Sequence, residues 1–372
     1  MSKDNNKLQQ TKGKFKLKGI VTRLKNNSSA FHEDINERTG KRFRKLNFGI
    51  KTSEYNEIFV GRYDNYPEKV FLWNSTKRKE DKSYKGDFVS FDSWVKSEEK
   101  YREQGYTPIQ VRLGFEKDDS GKIIEHSHTG WDSSKLIYEN FDDGDSVLVE
   151  GELRYSEWIN PEGKKVVMKN YVVETMKLLK EELDFNAEDF KEVTYFEQQA
   201  MYVDADHDNE TGKTHVTCRI IDFKGDYVDT GFVVKTKDDE GNEDKSLKKL
   251  SNSLLKKVKF GDVLDFFGNT VNRALIDEED DEDDDVLSAL GGKEKPSHAK
   301  GVTGYESEFQ IEGASAWDKQ RYTDEDFVNS KESDASELGG KSNPLNDDSK
   351  SDDGSDLFDS DDDLDDDDLP FL

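Results

Sequence analysis

The sequence predicts a mainly β chain, with two small barrel-like units in its first three quarters and a long acidic arm behind them. Three observations carry this. Short runs of alternating apolar and polar residues recur between turn signals, which is the pattern of half-buried strands. A unit of helix, Gly-Asp and a strand with an internal glycine occurs twice, as GDSVLVEGELR from Gly144 and GDVLDFFGNTVNR from Gly261. The chain has 372 residues and a net charge of −28, and nearly all of that excess follows Ile276. So many like charges cannot collapse into a core.

Residues 1–13 are polar and expected to be disordered. In FKLKGIVTRL, Phe15 to Leu24, the residues Phe15, Leu17 and Val21 share one parity while Lys16 and Lys18 take the other, a strand with lysines outward. A polar loop with the turn signal Thr39-Gly40 follows. RKLNFGIK, Arg44 to Lys51, repeats the pattern, with Leu46, Phe48 and Ile50 inward and Lys45, Asn47 and Lys51 outward. EKVFLWN (Glu68 to Asn74) reads as a strand with Val70 and Leu72 inward and Phe71 and Trp73 outward. DFVSFDSWV and PIQVRLGFE are further strand candidates, separated by a charged, helix-compatible SEEKYREQG.

From Lys135 the pattern sharpens. KLIYENF is a short helix, Asp143-Gly144-Asp145 a turn and VLVEGELRYSEW a long strand. The turn Asn160-Pro161-Glu162-Gly163 returns the chain through KKVVMKNYVVETMKLL as the partner strand. Arg154 and Trp158 stand four residues apart on the strand's outer face and so lie side by side. Such a pair suits a nucleotide, the guanidinium for phosphate and the indole for base stacking. It equally fits a cation–π pair covering an apolar edge.

An acidic linker, 181–192, leads to the second unit, 193–276. This unit has strand-like runs QQAMYVDA, THVTCRIIDF and YVDTGFVVKT and a helix from Ser246 to Val258 with Leu247, Leu250, Leu254 and Val258 on one face. Short all-β units carrying one helix, occurring twice, point to five-stranded Greek-key barrels of the oligonucleotide/oligosaccharide-binding (OB) type. The expected units are therefore a first OB unit with an insertion (14–180) and a second OB-like unit (193–276). The acidic C-terminal arm (277–372) is expected to be disordered, with Tyr305, Phe309, Ile311, Trp317 and Tyr322 scattered through its polar first half.

The chemistry expected is binding rather than catalysis. Between Lys12 and Gly105, 22 basic residues face 14 acidic ones with aromatics among them, a composition that suits a polyanion site on an otherwise acidic chain. Cys218 is the single cysteine, which excludes a disulfide framework and a cysteine-based zinc site; a buried inert thiol is the expectation. Asp204, Asp206, Asp208 and Glu210 alternate as in a calcium loop, but Asn209 and His215 occupy the positions that need glycine and glutamate. His126 and His128 lack an evident third ligand. No phosphate-cradling loop, serine elbow or paired nucleophile is present, so no enzyme activity, cofactor or metal is expected. The N-terminus has no apolar signal region and no apolar run approaches the ~20 residues of a membrane span, so a cytoplasmic location is expected.

The stretch LIYENFDDGDSVLVEGELRYSEWINPEGKKVVMKNYVVETMKLL resembles the last third of the OB domain of bacterial and phage single-stranded DNA-binding proteins. Leu46-Asn47-Phe48 resembles that family's second strand and FKLKGIVTRL its first. The closing run of Asp366, Asp367, Asp368, Leu369, Pro370 and Phe371 is similar to the family's acidic tip, which recruits partner proteins. The resemblance implies a protein that coats single-stranded DNA in replication, recombination and repair, in a bacterium or a phage-infected host. Trp158 falls on the family's base-stacking hairpin tryptophan and Arg154 on the first arginine of its LRxRxW. Ser156 and Glu157 depart from the basic residues usual beside them, and Leu372 follows the phenylalanine that ends the family's tail. Phe71, Trp73, Trp94 and Trp131, in or beside the insertion, are the candidates for the other stacking aromatics, with Lys45, Asn47 and Lys51 beside them. The single-OB members are tetramers, and two units in one chain could halve the number of chains in such an oligomer or remove the need to assemble. The competing expectation from the acidic arm is an interaction factor that binds basic partners.

Overall fold

The computed structural model describes residues 8–161, 163–238, 241–276 and 302–327. Alternating burial sets the first strands. β1 (Gly13–Thr22) buries Phe15, Leu17 and Val21, and β3 (Arg42–Lys51) buries Leu46, Phe48 and Ile50, as their sequence parity requires. β2 (Phe31–Ile35) forms a hairpin on the free edge of β3. β4 (Glu57–Asn65), which the sequence reading passed over, pairs with β3 along its whole length and turns Ile58 and Val60 inward.

The insertion follows. β5 (Lys69–Asn74) pairs with β6 (Asp87–Ser90) and β7 (Tyr106–Pro108), with α1 (Ser75–Glu80) and α2 (Phe91–Glu103) packed around them. The expected strand DFVSFDSWV is half strand and half helix. The Ser90 hydroxyl accepts from the Ser93 amide and caps α2, so the chain leaves the sheet at Phe91. β8 (Val111–Lys117) and β9 (Ile123–His128) form a hairpin, and α3 (Gly130–Asn140) begins five residues before the expected helix because Thr129 caps it.

β10 (Ser146–Ile159) and β11 (Lys165–Leu178) are the long hairpin. β1 pairs antiparallel with both β3 and β10, β3 with β4, and β10 with β11, while β11 meets β4 in parallel through Val172 and Gly61. The order β1-β3-β4-β11-β10-β1 closes a five-stranded barrel, with α3 between its third and fourth strands. This is the OB arrangement.

The same circuit recurs. β12 (Val193–Asp208), β13 (Lys213–Ile221), β14 (Tyr227–Lys235), α4 (Lys245–Lys256), β15 (Val263–Ile276) and β16 (Val302–Asp318) close as β12-β13-β14-β16-β15-β12, again with one parallel contact, Val233 to Gln310. Here the expected boundary at Ile276 is corrected: the fifth strand lies at 302–318, inside the stretch assigned to the acidic arm. Phe309 and Ile311 are barrel core, and Asp262 holds the following turn by accepting from the Trp317 indole at 2.9 Å and the Gln320 amide at 2.7 Å. Hydrophobic patterning missed this strand because two buried side chains between Glu306 and Asp318 give too weak a signal. The rest of the expected arm, residues 277–301 and 328–372, lies outside the described residues.

The two barrels are related by a local two-fold axis. β1 and β12 pair antiparallel with Phe15 opposite Phe196, and each of these sits across from an equivalent glycine, Gly151 on β10 and Gly268 on β15. Both glycines occupy β-bulges, and a Cβ at either would lie 1.9 Å from a carbonyl oxygen, of Val172 or Gln310. The repeat in the sequence is thus a repeat of barrel corners. Gly151→Ala and Gly268→Ala are each expected to cost about 1–3 kcal/mol through overpacking, measured as a fall in the urea midpoint at unchanged slope.

Each barrel also lends its hairpin to the other. The Tyr171 hydroxyl meets the Thr270 hydroxyl at 2.6 Å, and the Lys169 ammonium lies 4.3 Å over the Phe309 ring. In return the Asn272 amide group donates to the Glu57 carbonyl and its backbone N–H to Asn56 Oδ1, both at 2.7 Å. Burial pulls the Lys169 pKa down to about 8, with Glu308 opposing. The unfolded chain holds that proton up to about 10.4, so between roughly pH 8 and 10 it binds more protons than the folded chain, and stability rises with pH there. Lys169→Met is expected to remove this rise and to raise the melting temperature at pH 7, as checked by melting curves across pH 7–10.

Candidate nucleic-acid interface

The outer surface of the first barrel is built by register. With Leu46, Phe48 and Ile50 inward, β3 presents Phe43, Lys45, Asn47, Gly49 and Lys51 outward. Opposite them on β4 stand Asn65, Tyr63, Gly61, Phe59 and Glu57. Gly61 continues the row to Val172 on β11 and then to Glu152 on β10. Arg154 and Trp158 lie two and six residues farther along that same outer surface.

Three aromatic rings stand on this surface. Phe43 and Tyr63, both half-buried, stack with centroids 5.3 Å apart and planes 19° from parallel. Phe59 is 38% exposed, with the Arg23 guanidinium 5.0 Å over its ring and held by Glu57 at 3.0 Å. Asn47 lies across Gly61, where a Cβ would stand 2.4 Å from its amide oxygen, and that buried oxygen has no hydrogen-bond partner among the described residues. Lys51 has no ion-pair partner among the described residues. On the hairpin, Trp158 is 42% exposed, Arg154 is held by Glu152 at 3.0 Å and Lys165 by Glu157 at 2.9 Å.

Of the residues expected at the site, Lys45, Asn47, Lys51, Arg154 and Trp158 share this surface. The insertion aromatics do not. Trp94 and Trp131, at 1% and 4% exposure, form the insertion's own core with Val70, Leu72 and Phe91. As placed, neither ring face is open to a base. An inserted segment too small for an aliphatic core fills its centre with bulky rings, and Arg44, 4.1 Å over Trp131, seals the second of them. Phe71 rests against Gly86 and Phe88, and Trp73 leans on Tyr84 with ring centroids 5.6 Å apart; both are half-buried on the insertion's small sheet, away from the barrel surface. The tip residues Asp366, Asp367, Asp368, Leu369, Pro370 and Phe371 lie outside the described residues. Phe43, Phe59 and Tyr63 were missed. The parity that placed Lys45 outward also places Phe43 outward, but Phe59 and Tyr63 needed β4 to be recognised.

The equivalent surface of the second barrel differs. β13 and β14 present His215, Thr217 and Arg219 against Val233, Gly231 and Asp229. Arg219 is taken up by Asp229 at 2.9 Å, and Lys213 sits between Glu306 and Glu308 at 2.9 and 2.8 Å. The ring at the end of that row, Tyr227, is half-buried with the Arg219 guanidinium 4.7 Å over it, so the two backbones are alike but their outer rows differ.

Among the described residues no group of three His, Cys, Asp or Glu side chains is placed to hold a metal ion. Cys218 is fully buried, and burial pushes its thiol pKa well up. Among the described residues no helix is long and apolar enough to cross a membrane.

No curated protein matches the chain. Among solved structures it is similar to that of a deletion mutant of the single-stranded DNA binding protein from Thermus aquaticus, at 12% identity over 73% of this chain and 99% of that one, with a TM-score of 0.32. A family model described as YorF matches residues 79–343, a span that runs from the insertion through both closing hairpins and past β16. The chain belongs to the YorF family.

Proposed function

We propose that the chain is a non-enzymatic single-stranded DNA-binding protein that uses the outer surface of its first barrel. The observation that carries the reading is the β3–β4 row, where Phe43, Phe59 and Tyr63 alternate with Lys45, Lys51 and Asn47 on the second and third strands of an OB barrel, the face that this fold offers to oligonucleotides. The rings stack on bases without regard to sequence, and the cations track the phosphates. The hairpin, with Trp158 and Arg154, extends the path past the barrel edge. Because the second barrel's equivalent row ends in one half-buried ring and its cations are engaged, the path follows one barrel. Service in replication, recombination and repair, in a bacterial or phage-infected cytoplasm, and recruitment of partners through Asp366–Phe371 extend the same reading from the sequence resemblance.

Anisotropy of a labelled oligo-dT titrated with the full chain tests this. Binding at low salt is expected, with log K falling linearly in log salt by about 0.7 per phosphate contacted. Flat anisotropy at the lowest salt would sink the reading and favour an acidic factor that binds basic proteins.

A further inference from the structure

α4 has two faces of different character. Leu247, Leu250 and Leu254 pack toward the second barrel, and the Tyr202 hydroxyl donates to the Leu254 carbonyl. The opposite face is a shallow groove lined by Lys245, Lys248, Lys249, Asn252, Lys256 and Lys257. Only Lys248 is answered, by Glu243 at 2.7 Å; the other four lysines have no acidic partner among the described residues. Elsewhere the body pairs many of its cations, as with Lys16 and Glu150 or Lys177 and Glu125. The described residues thus leave a lysine groove unneutralised on a chain whose net charge is −28.

We propose that this groove docks the chain's own acidic C-terminal segment, Asp347–Leu372. Charge is the first argument: thirteen aspartates lie between Asp347 and Asp368, against one lysine. Position is the second. Tyr322 and Phe327 are buried in a cluster that Phe260 packs against, and the Tyr322 amide donates to the Gly261 carbonyl, so the chain leaves the body beside the C-terminal end of α4. The 20 residues from Phe327 to Asp347 reach about 25 Å as a coil, against about 18 Å for the whole helix. Such a tether holds the aspartates at millimolar effective concentration. The other acidic run, Asp277–Asp285, leaves from the far end of β15, roughly 40 Å of strand from α4. The groove lining contains no aromatic ring, so it lacks the stacking platform of a single-strand path. The docking does not depend on the function proposed above. Its consequence is to hold the segment at the second barrel, away from the β3–β4 surface of the first.

Lysine acetylation read by mass spectrometry tests this on the full chain. The native protein is compared with one in which the thirteen aspartates are changed to asparagine, with Lys122 on the β8–β9 turn as the internal standard. At low salt Lys245, Lys249, Lys256 and Lys257 are expected to react several-fold more slowly in the native chain. In 1 M NaCl, where the Debye length is about 3 Å, the native chain is expected to match the variant. Equal rates in both chains at low salt would overturn the proposal. Equal rates together with protection on adding oligo-dT would assign the groove to nucleic acid instead.

Discussion

The double variant Phe59→Ala/Tyr63→Ala is expected to bind oligo-dT roughly 30-fold to 20,000-fold more weakly than the native chain. Each base–ring stack contributes about 1–3 kcal/mol, and about 1.4 kcal/mol is a factor of ten. Both side chains point outward from β4, whose core contacts are made by Ile58 and Val60, so their truncation leaves the barrel interior intact. The melting temperature should therefore stay close to native while the anisotropy titration shifts. Thr217→Ala in the equivalent row of the second barrel should leave binding unchanged. Equal losses at both rows would mean that the surfaces are used symmetrically, and no loss at either would remove the β3–β4 surface from the path.

Arg62→Met is expected to destabilise the fold by about 3–5 kcal/mol, the range for breaking a buried ion pair from one side. Arg62 grips Asp64 through two bonds, at 2.9 and 2.6 Å, and donates a third to the Val173 carbonyl. Asp64 in turn accepts from the Ser134 hydroxyl of α3 at 3.2 Å. The site is where the barrel closes: β4 and β11 share one backbone register pair, Val172 to Gly61, and Arg62 bridges the same two strands with its side chain. Losing the guanidinium strands a largely buried carboxylate and frees a carbonyl at the weakest seam. Adding Asp64→Asn removes the stranded charge while keeping an acceptor for Ser134, so Arg62→Met/Asp64→Asn should recover a large part of the loss. Urea unfolding of the three proteins checks this; a double variant no more stable than the single one would show that the carbonyl bond, not the ion pair, closes the seam.

Both predictions rest on β4, a strand that sequence reasoning did not find. Its neighbours were legible. Phe15, Leu17 and Val21 on β1, Leu46, Phe48 and Ile50 on β3, and the turn between β10 and β11 declare themselves because strict alternation has one physical meaning, a strand with one dry face. β4 was hidden because Arg62, at an inward position, breaks the apolar alternation. The arginine is tolerated there only because Asp64 and the Val173 carbonyl wait for it in the folded barrel. The insertion misled in the opposite sense, since a tryptophan reads the same in sequence whether it stacks on a base or fills a core.

The sequence by itself determined the β class, the first barrel's opening strands and long hairpin, the amphipathic α4, the corner glycines repeated at Gly151 and Gly268, and the outward lysines of β3. All are local patterns, set by side-chain parity, helical period or a backbone that only glycine allows. The tertiary structure decided the rest: which rings are open, that β16 completes the second barrel, that Phe15 meets Phe196 on a dyad, and that Phe43, Phe59 and Tyr63 come together beside Lys45 and Lys51 on one surface. Those depend on which distant segments approach each other, and a side chain's exposure is a property of that approach rather than of its neighbours in the chain.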